Sequence, residues 1–202
     1  MKPVAQILSV ILHPLFLPSY AILLVIYTNP YMFGNMEPEG LGRIMIIVVV
    51  NTLAFPALAS LLLVKLGFVK SLQMESKLER TLPFIASGVF YIWCFMVFKR
   101  SPLPQILNVT ILGAPIGLFT TFIINIFRKI SLHAVGMGSL VGLMILLTMI
   151  SNFNLIWILY GVILLAGIVG SCRLYLSAHA LPEVMVGYLI GITSMFFAFR
   201  YF

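Results

Sequence analysis

Arg173, His179 and Glu183 have the types and the spacing of a site for a tetrahedral anion. A guanidinium offers paired N–H donors that match two oxygens of a phosphate, and an imidazole can act as nucleophile or acid–base group. Glu183 follows His179 by four residues, which places its carboxylate to accept a hydrogen bond from the ring. Such a bond fixes the tautomer and stabilises an imidazolium or phospho-imidazole. Pro182 suits the first turn of a helix, where its missing N–H would be unpaired anyway. His179 then lies just ahead of a helix N-terminus, where the dipole and unpaired N–H groups favour an anion. Elsewhere in the chain Arg80 adds a second guanidinium, Lys77 a point charge, Ser131 a hydroxyl and His133 a second imidazole.

The elements that must position these residues are set by composition. Of the 202 residues 62% are hydrophobic and only 8% charged, and the mean hydropathy is +1.15. A soluble domain runs nearer half apolar and a quarter charged. The composition excludes a soluble globular protein, a coiled coil, a disordered chain and a disulfide-rich scaffold. Apolar runs occupy 4–28, 43–66, 83–98, 105–127, 132–150, 155–172 and 184–199, each near the roughly 20 residues a membrane span needs. No alternation of the kind a β-barrel shows is present. The expected fold class is all-α, a polytopic transmembrane helix bundle of six to seven spans. The first run contains His13, Pro14 and Pro18 and is expected to be kinked, broken or re-entrant. No cleavable signal is expected, because the first apolar stretch continues past both prolines without a small-residue cleavage site.

Counting sides brings the reactive residues together. If every run spans, links 67–82, 128–131 and 171–183 share one face, and they hold Lys77, Arg80, Ser131, Arg173, His179 and Glu183. His133 lies just inside the fifth run on the same side. The net charge of +7 then reads as basic loops beside anionic lipid or an anionic substrate, with no nucleic acid as partner. Setting aside the candidate ligands of the anion, Lys2, Lys65, Lys70, Arg128 and Lys129 flank that face. Arg43, Lys99, Arg100 and Arg200 flank the other, so the positive-inside rule sets no orientation.

These residues resemble the type 2 phosphatidic acid phosphatase (PAP2) superfamily of membrane lipid phosphatases. The family's third motif is Ser-Arg, five residues, His, three residues, Asp. Cys172-Arg173, His179 and Glu183 keep that spacing, with Cys for Ser and Glu for Asp. The second motif, Pro-Ser-Gly-His, is similar to Ile130-Ser131-Leu132-His133. The first, Lys, six residues, Arg-Pro, is thinner: with Arg80 on the family Arg, Gln73 stands where Lys belongs, and Lys77 and Pro83 are displaced. The resemblance covers about 73–183. It implies a PAP2-like core over about 67–202 preceded by N-terminal helices over 4–66, in one integral membrane domain of a bacterial inner membrane. It also implies a metal-free and cofactor-free two-step phosphoryl transfer from a lipid phosphate. His179 would be the nucleophile, oriented by Glu183, and His133 the proton donor and acceptor. Lys77, Arg80, Ser131 and Arg173 would hold the phosphate oxygens.

Structural roles compete for some of the same residues. Lys77, Arg80, Arg128 and Lys129 fit interfacial anchors, and Ser131 fits the N-cap of the fifth run, a role compatible with anion binding. His13 with its prolines reads as marking a kink rather than as a third catalytic base. Asn51, Asn108 and Asn125 are expected to bond neighbouring helices, and Gly136, Gly138 and Gly142 to allow close helix packing. Cys94 and Cys172, in or at the end of separate runs, are not expected to pair. The alternatives in function are a non-catalytic lipid-binding protein with the same motifs and a small transporter. A transporter would place ionisable residues near the bilayer centre and show inverted repeats. This chain gathers its charges at the rims and shows no repeat.

Overall fold

Proline decides where the first apolar run ceases to be one helix. In the computed structural model, which describes residues 2–34, 36–70 and 77–202 and only the backbone of 77–80, the run is broken into α1 (Lys2–Ile11) and α2 (Leu17–Thr28). Pro14 carries no N–H and biases His13 away from helical backbone, so residues 12–16 form a turn between the two. Neither piece is long enough to cross a bilayer. Helix α1 buries Ala5 and Ser9, one turn apart, and leaves Val4, Ile7, Val10 and Ile11 exposed. It lies along the bundle against α8, defined below.

The second run is a single long rod, α3 (Pro38–Val49), a π-helical turn (Val50–Ala54) and α4 (Phe55–Lys65). The turn has a local cause. Pro56 has no N–H for the carbonyl of Thr52 and its ring would strike that carbonyl. The ladder widens by one residue, Phe55 N–H bonding Val50 O, and Thr52 O accepts instead from the hydroxyl of Tyr91, 3.3 Å away.

Five further helices follow: α5 (Lys77–Lys99), α6 (Gln105–Phe127), α7 (Leu132–Ile150), α8 (Ile156–Tyr175) and α9 (Leu181–Tyr201). With the α3–α4 rod they make six helices long and apolar enough to cross a membrane. The protein is an all-α polytopic membrane bundle, and among the described residues there is no strand. Several helices outrun their apolar stretches. Helix α5 starts at Lys77 rather than near 83, α8 continues to Tyr175, and α9 begins at Leu181. Backbone hydrogen bonds propagate through Lys, Glu, Arg and Leu as readily as through apolar residues. The last polar link thereby shrinks to 176–180, and Arg173 lies in the final turn of α8.

The tightest pairing is α7 against α9. A Cβ on Gly138 would strike the backbone of Tyr188, and one on Gly191 would strike the carbonyl of Val135. Only glycine permits that approach, which draws the N-terminal ends of the two helices together. Asn51 and Asn125 bond locally rather than to neighbouring helices: Asn51 Nδ2 donates to Ile47 O at 2.8 Å, and Asn125 Oδ1 accepts from Ile130 N at 3.0 Å. A short amide at a helix irregularity meets nearby backbone before it meets another helix. Cys94 and Cys172 are separate buried thiols.

Candidate functional site

The close α7–α9 contact joins two of the three links expected on one face. Ser131 N–H bonds Glu183 O at 3.3 Å, and Lys129 Nζ donates to Ala178 O at 2.8 Å. Beyond the anchor role its sequence position suggests, Lys129 ties link 128–131 to link 176–180. The third link is different. Lys77 and Arg80 belong to the first turn of α5 by backbone, but their side chains lie outside the described residues, as does Gln73.

His179 and Glu183 form a direct pair, Nδ1 to Oε2 at 2.7 Å. A carboxylate only accepts, so Nδ1 carries the proton and Nε2 presents its lone pair. The same Oε2 accepts the N–H of Ala180 at 3.3 Å, so Glu183 also serves the start of α9. Burial of the His179 ring holds its pKa below the ordinary 6.5, and the charges of Lys129 and Arg173 push the same way. The hydrogen bond and charge of Glu183 oppose this in part. The ring is therefore neutral around pH 7, the state a nucleophile requires.

Ser131 caps α7: it is fully buried, and its hydroxyl accepts the N–H of Ala134 at 3.4 Å. Its contribution here is to hold the N-terminus of α7, and with it His133 in the first turn. His133 Nε2 lies 2.9 Å from the carbonyl of Ser9 in α1. Against its ring, edge-on, stands His13, with centroids 5.3 Å apart at 88°. The kink reading of His13 is accurate for the backbone, yet the same turn delivers its imidazole to the site. No periodicity announces this; the one signal is a histidine beside the proline that ends a helix too short to span.

Arg173 acts electrostatically on His13, His133 and His179. Its Nε is buried and has no hydrogen-bond partner among the described residues. A desolvated guanidinium nitrogen without an acceptor is costly, and the carboxylate nearest in sequence is engaged by His179. Arg173, with its Nε unpartnered, thus lies within electrostatic reach of three imidazoles. Burial, followed by the charge of Arg173, lowers the pKa of His13 as well. No group of three or more His, Cys, Asp or Glu among the described residues is placed to hold a metal ion. Beside the cluster an open apolar cleft, with a cavity volume of about 70 Å³, lies between α2, α6 and α7. Its lining includes Pro14 and Leu132, the sequence neighbours of His13 and His133, with Leu17, Thr110, Ala114 and Gly136. Compared with protein-family models, curated proteins and solved structures, the chain matches none.

Proposed function

We propose that the protein is a membrane lipid phosphatase of the PAP2 type, cleaving a phosphate monoester or diphosphate headgroup through a phosphohistidine. The observation that carries this reading is the orphaned Nε of Arg173 beside a histidine whose Nδ1 is committed to a carboxylate. An anion-binding donor and an oriented nucleophile need each other for phosphoryl transfer. The apolar cleft next to the cluster suits the hydrocarbon of a lipid whose headgroup reaches Arg173.

In the first step the Nε2 lone pair of His179 attacks phosphorus. The bond from phosphorus to the leaving oxygen breaks, and that oxygen takes a proton from His133. In the second step a water attacks phosphorus and gives its proton to His133. The N–P bond breaks, and phosphate leaves with His179 neutral again. Arg173 holds equatorial oxygens in both steps, and Lys77 and Arg80 are assigned the same task by the resemblance. Residence in a bacterial inner membrane is part of the same proposal.

The test is phosphate release by purified protein with EDTA present, from phosphatidate, phosphatidylglycerol phosphate, a polyprenyl diphosphate and a phosphorylated lipid A, beside His179→Ala. Release by wild type and none by the variant is expected. Tight binding of these lipids without release by either chain favours the non-catalytic lipid-binding reading.

A further inference from the structure

The two histidines of the cluster have acceptors of different kinds. His179 Nδ1 bonds a carboxylate, whereas His133 Nε2 bonds a main-chain carbonyl from the other end of the chain, that of Ser9 at 2.9 Å. That carbonyl is available for a local reason. The last carbonyls of a helix lack intrahelical partners, and at the end of α1 the N–H of Leu12 goes to Leu8 O and that of His13 to Val10 O. Ser9 O is passed over. The small residues Ala5 and Ser9 form the buried face of α1, which lets the backbone come close to His133. The Ser9 hydroxyl is buried without a partner, whereas those of Thr28, Thr110, Thr121 and Thr148 each bond the carbonyl four residues back. The turn after α1 then sets His13 edge-on to His133. His13 is itself held by the N–H of Leu15, 3.4 Å from its Nδ1.

We propose that the N-terminal segment, residues 2–16 (α1 and the turn after it), is a working part of the site. The Ser9 carbonyl is the orienting group of His133, and His13 is a positioning residue that keeps its ring in place. A carbonyl only accepts, so Nε2 of His133 keeps its proton and all transfer runs through Nδ1. On the phosphatase reading, on which this use of the proton rests, Nδ1–H of the imidazolium protonates the leaving oxygen. Neutral Nδ1 later takes the proton of the attacking water. The different acceptors leave opposite ring nitrogens free for chemistry, Nε2 at His179 and Nδ1 at His133.

The experiment uses the full chain in detergent micelles with 15N-labelled histidine, the His133 signals being assigned with His133→Gln. Neutral His133 is expected in the single Nε2–H tautomer. Deletion of residues 2–9 should turn it into a mixture of tautomers. An Nδ1–H tautomer or a mixture in the wild type overturns the proposal, even if the truncated chain does not fold. In kinetics, His13→Ala should lower kcat on phosphatidate about tenfold more than on p-nitrophenyl phosphate, whose leaving group needs little protonation, with KM little changed. His13→Phe, which keeps an aromatic edge partner, should restore most of the loss. Equal losses on both substrates overturn the positioning role of His13. A wild type with the Nε2–H tautomer that releases no phosphate from any probe defeats the phosphatase reading but leaves the N-terminal segment's hold on His133 established.

Discussion

Both ends of the bundle carry cations and treat them in opposite ways. At the end away from the histidines, Lys99 lies over the rings of Phe95 and Tyr201, 5.8 and 5.7 Å from their centroids, and its Nζ reaches the Tyr201 hydroxyl at 3.5 Å. Arg43 meets Glu39 at 3.9 Å with both side chains exposed. These are interfacial anchors in contact with aromatic rings, with a surface pair, or with water. At the other end Arg173 buries its Nε without an acceptor, and the rings near it are oriented by Glu183 and the Ser9 carbonyl. What distinguishes Arg173 is a desolvated guanidinium nitrogen whose hydrogen-bonding capacity no described residue meets.

That contrast breaks most decisively at the proposed nucleophile, His179. His179→Ala should abolish both phosphoenzyme labelling and turnover, while Lys99→Ala at the opposite end should leave phosphate release within about twofold, as expected of an exposed pair. Acid-labile, base-stable label that persists in His179→Ala would show that another residue attacks. Next in size is His133→Ala. It should slow a lipid alcohol ester by about 10²–10⁴-fold, the worth of general acid–base catalysis. Phosphoenzyme formation from p-nitrophenyl phosphate, measured by rapid quench, should suffer far less.

Arg173→Lys keeps the charge but loses the planar fork, and should reduce kcat/KM for phosphatidate by about 10²-fold. The corresponding Arg43→Lys should change nothing in the same steady-state assay. Among the variants at the site, the smallest effect is expected of Glu183→Gln. The amide oxygen still accepts from Nδ1, so the loss is the difference between a charged and a neutral hydrogen bond, about tenfold in kcat. The pH profile carries the sign. Burial already holds His179 below 6.5, so the acid limb lies below that pH. Glu183 is a group that raises the value, and its removal should move the acid limb to still lower pH. A limb that moves upward would separate Glu183 from His179.

The sequence by itself determined the class of fold, the break in the first run and the local chemistry of the last link. Apolar runs mark membrane spans because lipid replaces water around them. Pro14 and Pro56 act on the backbone within five residues. His179 and Glu183 meet because four residues separate them at the start of a helix, and Ser131 caps α7 for an equally local reason. Tertiary structure decided what no local pattern encodes. The partner of His133 is a backbone carbonyl 124 residues away, a group every residue possesses and no sequence singles out. His13 reaches the site only because α1 folds back along α8. Arg173 is distinguished from Lys99 and Arg43 by what its neighbours leave unpaired, and burial of that kind is a property of packing, where distance in space replaces distance along the chain.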